Sequence, residues 1–158
     1  MPEYKQTYDN KRVITAAEGS MRVFNRIVAR LTKLGISLMG SRVLSVRGRK
    51  SGDWRSTPVN LLVLDGQRYL VAPRGHTQWV KNLRVTKEGR LQLGRKVETF
   101  HAQELADADK LPMLRLYLKK WAWEVGSFFS GDVTKDSPDE VLRHIAPGVP
   151  VFRIDQAQ

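Results

Sequence analysis

Between residues 42 and 105 the chain is a series of short, β-prone runs joined mostly by turns too tight to carry a crossover helix. This spacing limits the fold more than any other feature. Arg42 to Arg47 reads as a strand about Val43, Leu44 and Val46, Pro58 to Leu64 as a second and Arg68 to Ala72 as a third. Asp65-Gly66, between the second and third, has the chemistry of a two-residue hairpin that needs positive φ. Arg90 to Leu93 and Lys96 to Leu105 make another hairpin about Gly94-Arg95, and Val149 to Ile154 follows Pro147-Gly148 as a last strand. Strands joined this closely pair antiparallel. The expected architecture is mainly β with flanking helices (α+β), a small antiparallel β-barrel. The regular strand–helix alternation of a Rossmann fold is missing.

Apolar residues at helical spacing mark the flanking elements. Val23, Phe24, Ile27, Leu31 and Leu34 form one face of a helix over 20–34, with Arg22, Arg26, Arg30 and Lys33 on the other and Gly35 as its stop. Such a helix either covers a core or rests its basic face on anionic lipid, so peripheral membrane contact stays open. A short helix is expected over Thr77 to Val85 with Thr77 as N-cap. A longer one runs from Asp109 to about Val125, with Pro112 in its first turn. Ser137-Pro138-Asp139-Glu140 reads as a capped helix start, with Ser137 as the cap and the helix ending near Ala146. Residues 1–18 read as a polar lead-in and residues 19–158 as a single domain.

Lys and Arg number 27 against 16 Asp and Glu, a formal charge of +11 that predicts a polyanionic partner beyond its effect on solubility. A phosphorylated or poly-carboxylated cofactor, nucleic acid and an anionic membrane all qualify. Cysteine is absent, which excludes disulfides and thiol catalysis and fits a reducing cytoplasm. The polar N-terminus does not read as a signal peptide, and no stretch is apolar enough to span a bilayer.

Several standard sites are excluded. His76, His101 and His144 have no zinc spacing, so no metal is expected. There is no GxGxxG after a strand and no GxSxG. Gly48-Arg49-Lys50-Ser51 lacks the upstream glycine and the Gly-Lys pair of a P-loop. What stands out is Arg47-Gly48-Arg49-Lys50-Ser51-Gly52, followed by Arg55, Thr57 and Pro58. Glycines allow close backbone approach to an anion, Arg49, Lys50 and Arg55 can neutralise phosphate or carboxylate, and Ser51 adds a hydroxyl. The bland alternative is a solvated turn. An Arg-Gly-Arg element for the DNA minor groove is a further competitor, weakened by Lys50 in place of proline and by the β-rich surroundings. A second constellation is Ala72-Pro73-Arg74-Gly75 leading into Thr77-Gln78-Trp79-Val80-Lys81-Asn82-Leu83, a strand end, turn and helix start that suits an anion. Trp79 can stack on a planar ring or plug the core, and Asn82 can cap or bridge backbone groups.

Together these segments resemble the deazaflavin-dependent nitroreductase family. The shared pattern reads here as GRKSG at 48–52, Arg55, Thr57-Pro58, Asp65-Gly66, WVKNL at 79–83 and Pro150-Val151-Phe152, across roughly residues 40 to 154. The resemblance implies a split β-barrel of the FMN-binding, flavin-reductase type and the coenzyme F420, a deazaflavin with a phosphate and an oligoglutamate tail. That anionic ligand meets the separate inference from charge. It implies that Arg49, Lys50 and Arg55, with Ser51 and Gly52, hold phosphate and tail. Thr57, Pro58 and Val59 would line the ring. Ala72, Pro73, Arg74 and Gly75 would contact its edge or phosphate, and Trp79, Lys81 and Asn82 would border the site.

The implied chemistry is hydride transfer from the reduced ring to a quinone or activated nitro compound, with no side-chain nucleophile. The chain departs from the family at Ala72-Pro73-Arg74, where members often carry Ser or Lys. It also has Trp121, Trp123, Phe128 and Phe129 where some members have tyrosines near the acceptor. Tyr117, Trp121 and Phe128 are the candidate acceptor pocket, with ordinary core packing the competing reading. Alternatives are an FMN-binding barrel, a flavin or deazaflavin carrier without turnover, and, less favoured, a nucleic-acid-binding domain. A homodimer remains open.

Overall fold

The structure is a computed structural model that describes residue 11 and residues 41–125 and 133–157. Helix 20–34, with the membrane contact expected of it, lies outside the described residues, as do Phe128, Phe129 and the side chain of Trp123.

Six antiparallel strands close into a barrel. They are β1 (Ser41–Arg47), β2 (Trp54–Leu64), β3 (Gln67–Val71), β4 (Glu88–Leu93), β5 (Lys96–Glu104) and β6 (Val151–Gln156), in the order β1-β2-β3-β6-β5-β4. Asp65 and Gly66 have φ of 52° and 77°, the paired positive angles that a tight hairpin between twisted strands requires. Gly94, at φ 62°, turns β4 into β5 with a single positive angle. β2 begins at Trp54, four residues earlier than Pro58, where the sequence suggested. Pro58 lies opposite Val43 of β1, while β3 pairs with β2 only from Leu61 onward. A proline is tolerated there because that stretch of β2 has a neighbour on one side alone.

Alternation along the strands makes two cores. Leu44, Val46, Leu70, Leu91, Phe100, Phe152 and Ile154 fill the barrel. Helix α1 (Gln78–Thr86) closes one end of it by inserting Val80 and Leu83, both fully buried. Leu62, Tyr69, Val71 and Val151 point outward and are covered by α2 (Leu111–Val125) and α3 (Asp139–Ile145), through Leu114, Leu118, Leu142 and Ile145. Together such large buried side chains, at about 1.5–3 kcal/mol each, supply most of the drive to fold.

Helix boundaries differ from the sequence reading in instructive ways. Thr77 occupies the N-cap of α1 without capping it through its side chain. Ser137 is not the cap of α3; Pro138 takes that position, because the Ser137 hydroxyl instead accepts the Thr134 N–H at 2.8 Å. α2 breaks from helical geometry at Trp121, with φ −129° and ψ 17°. Arg115 of α2 fixes the entry to α3, donating to Lys135 O, Ser137 O and Asp139 at 2.8, 2.9 and 2.6 Å. No helix among the described residues is long and apolar enough to cross a membrane.

Candidate functional site

The basic segment forms the loop between β1 and β2 and is internally braced. Gly48 N–H donates to Asp53 O and Gly52 N–H to Gly48 O, each at 2.8 Å, and Asp53 N–H donates to Ser51 Oγ at 3.2 Å. A side chain at Gly48 would bring its Cβ within 2.7 Å of Ser51 Oγ, so Ser51 would have to turn away from its bond to Asp53 N–H. Arg49 N–H is also used, donating to Asn82 Oδ1 at 3.1 Å. The backbone amides of Gly48, Arg49, Gly52 and Asp53 are thus spent on holding the loop. Gly52, at φ 75°, shapes the turn.

Arg49 ties this loop to α1. Its Nη1 donates to Asn82 Oδ1 at 2.8 Å and to Gln78 Oε1 at 3.0 Å. Both acceptors are neutral amides, so the guanidinium is positioned while its charge stays uncompensated. It lies beside the first residue of α1, where the helix dipole is itself positive, α1 has no acidic residue in its first turn, and cations there are ordinarily destabilising. Thr77 Oγ1, at the same helix end, is buried without a hydrogen-bond partner among the described residues. Lys50 and Arg55 are exposed, and Arg55 Nε runs 3.9 Å from where a Cβ on Gly48 would be. Arg47 donates to Gly52 O at 3.0 Å, and Arg47 and Arg90 both stack on Trp54, at 4.5 and 4.0 Å from the ring centroid.

The turn after β3 meets the same helix start. Ala72 N–H donates to Pro150 O at 2.9 Å, and Gly75, at φ 87°, donates to Ala72 O at 3.1 Å. Burial pushes the Arg74 guanidinium below its usual range, with the nearby Tyr117 acting the other way. That proximity joins the turn to α2. His76 accepts from Arg84 at Nδ1 (3.1 Å), so its Nε2–H donates to Pro147 O at 3.2 Å. Arg84 grips Glu104 through two 2.8 Å bonds, which raise its pKa.

The sequence candidates divide by position. Arg49, Lys50, Ser51, Gly52 and Arg55 share one loop region. Asn82 is 3% exposed and engaged by Arg49, so its side-chain oxygen serves the loop. Val59 and Ala72 point into the barrel core, and Trp79 packs there too, its ring 6.0 Å from Phe152. Thr57, Pro58, Pro73, Arg74 and Lys81 are half-buried. Tyr117 and Trp121 are 3% and 2% exposed, their rings tilted at 50° with centroids 4.9 Å apart inside the outer core, so packing describes their surroundings. No group of metal-ligating side chains occurs among the described residues. The Gln78 anchor of Arg49 escaped the sequence reading; a polar residue opening a helix beside a basic loop was its only signal.

The sequence signature of the F420H(2)-dependent quinone reductase family matches residues 20–125. The chain belongs to that family. It is an oxidoreductase type whose coenzyme is F420, as the resemblance led us to expect. Two solved structures at 20% identity share the fold. One, described as a domain-swapped dimer, has a TM-score of 0.54 over 82% of this chain and 92% of its own. The other, an F420-H2 dependent reductase, scores 0.50 over 73% and 94%. A protein of unknown function from Agrobacterium tumefaciens, 14% identical, scores 0.50 over 92% of this chain and 58% of its own. No curated protein matches the chain.

Proposed function

We propose that the loop at 48–55 and the start of α1 bind the phosphate and oligoglutamate tail of F420, and that the domain, residues 19–158, reduces quinones and activated nitro compounds. The observation that carries this reading is the placement of Arg49, held by neutral amides at the positive end of a helix with no carboxylate beside it among the described residues. A cation beside the positive end of a helix is disfavoured unless an anion joins it. The donor set fits such a ligand: flexible Lys50 and Arg55 at the rim, a fixed Arg49, the Ser51 hydroxyl, and an orphaned Thr77 hydroxyl at the helix end.

When bound, the coenzyme supplies the hydride. The protein's own contribution is to bind and orient. Lys50 and Arg55 neutralise the tail, the braced loop fixes its path, and the Ala72–Gly75 turn, with Arg74, borders the ring. Thr57 and Pro58 present the β2 surface to the ring, and the half-buried Trp79 and Lys81 close the margin. The acceptor would approach beside the half-buried Arg74, with Tyr117 and Trp121 shaping the wall behind it from within the core. We place the reaction in the cytoplasm and the working form as a homodimer, which sedimentation checks directly.

The test is turnover. Purified protein with reduced F420 and a soluble quinone should show loss of reduced-coenzyme absorbance that depends on both, with a nitroaromatic as the second acceptor. Turnover with reduced FMN and none with F420 would transfer the reading to an FMN-type barrel.

A further inference from the structure

Among the described residues, several arginines are held by carboxylates. Arg68, Arg84, Arg115 and Arg153 pair with Glu98, Glu104, Asp139 and Asp155. Arg49 does not; its guanidinium and its backbone N–H converge on the side-chain oxygen of a buried asparagine, with a glutamine as second acceptor. An aspartate at position 82 would offer the same acceptor geometry and a stronger, charge-assisted bond. It would also cancel the charge. A neutral amide fixes the guanidinium and leaves its full field for a ligand.

We propose that Asn82 is a positioning residue that acts through Arg49: its amide oxygen locks the 48–53 loop onto α1 and leaves the charge of Arg49 unpaired toward the bound anion, without touching that anion itself. This deepens the assignment of the coenzyme tail to this loop and rests on it. Gln78 has the same part from an exposed position.

The test compares wild type, Asn82→Asp, Arg49→Ala and the double variant, titrating oxidised F420 at several salt concentrations. Asn82→Asp preserves the loop yet should weaken binding about tenfold or more and flatten the salt dependence, because one cation no longer faces the anion. In the Arg49→Ala background the same substitution should cost clearly less, because only the direct repulsion of the new carboxylate remains, the non-additivity expected of one residue acting through another. An Asn82→Asp effect of equal size with and without Arg49, or none in either background, overturns the proposal while wild-type binding leaves the coenzyme assignment standing. Failure of wild type to bind F420 overturns both. Should Asn82→Asp not fold, the exposed Gln78→Glu carries the test, with weakened, salt-insensitive binding expected and unchanged binding contradicting it.

Discussion

Lys110 shows how a single ionisable residue can be structural in so cationic a chain. It is 2% exposed at the entry to α2, and its Nζ donates to Ala146 O at 2.8 Å and meets Asp107 at 2.7 Å. Lys110→Met keeps the apolar stem and strands the Ala146 carbonyl, so it should cost about 1–3 kcal/mol in urea denaturation. Arg49 is the opposite case, held by neutral acceptors with its charge unspent. The cations at 47–55 were legible in the sequence because a cluster of Arg and Lys around glycines is a local pattern. Their arrangement was not. The Asn82 and Gln78 acceptors lie 33 and 29 residues from Arg49 in sequence, and only barrel closure brings them together. Val59, Ala72 and Trp79 illustrate the converse: a motif can name residues near a ligand while the fold packs them against the barrel core.

At the scale of elements, hairpins were the most readable part of the chain because their chemistry lies within the turn. Gly66, at φ 77°, follows Asp65 in the left-handed region, and Gly66→Ala should destabilise the protein by about 1–2 kcal/mol through the β2–β3 turn alone, read as a shifted denaturation midpoint with unchanged slope. Boundaries set by tertiary partners were harder. The sequence reading started the second strand at Pro58, yet β1 alone borders that part of β2, and the barrel carries the strand back to Trp54. Ser137 had the sequence of a cap, but its hydroxyl accepts the Thr134 N–H in the preceding turn, while Arg115 from α2 anchors the helix start. α1 was visible from its pattern, whereas its job as the stopper of the barrel depends on Val80 and Leu83 facing a lumen that no local window contains.

For the whole molecule, the excess of +11 is not spread evenly among partnerships. Arginines 68, 84, 115 and 153 have carboxylate partners, while Arg47, Arg49, Arg55 and Arg90 around the β1–β2 loop have none among the described residues. That loop is therefore the proposed seat of the anionic coenzyme. Lys50 and Arg55 are exposed, so truncating them leaves both cores untouched. The most direct measurement is the affinity for oxidised F420, followed by intrinsic tryptophan fluorescence, of wild type against Lys50→Ala/Arg55→Ala. We expect the double variant to fold normally and to bind about 2–5 kcal/mol more weakly. Equal affinity of the two proteins would contradict the account.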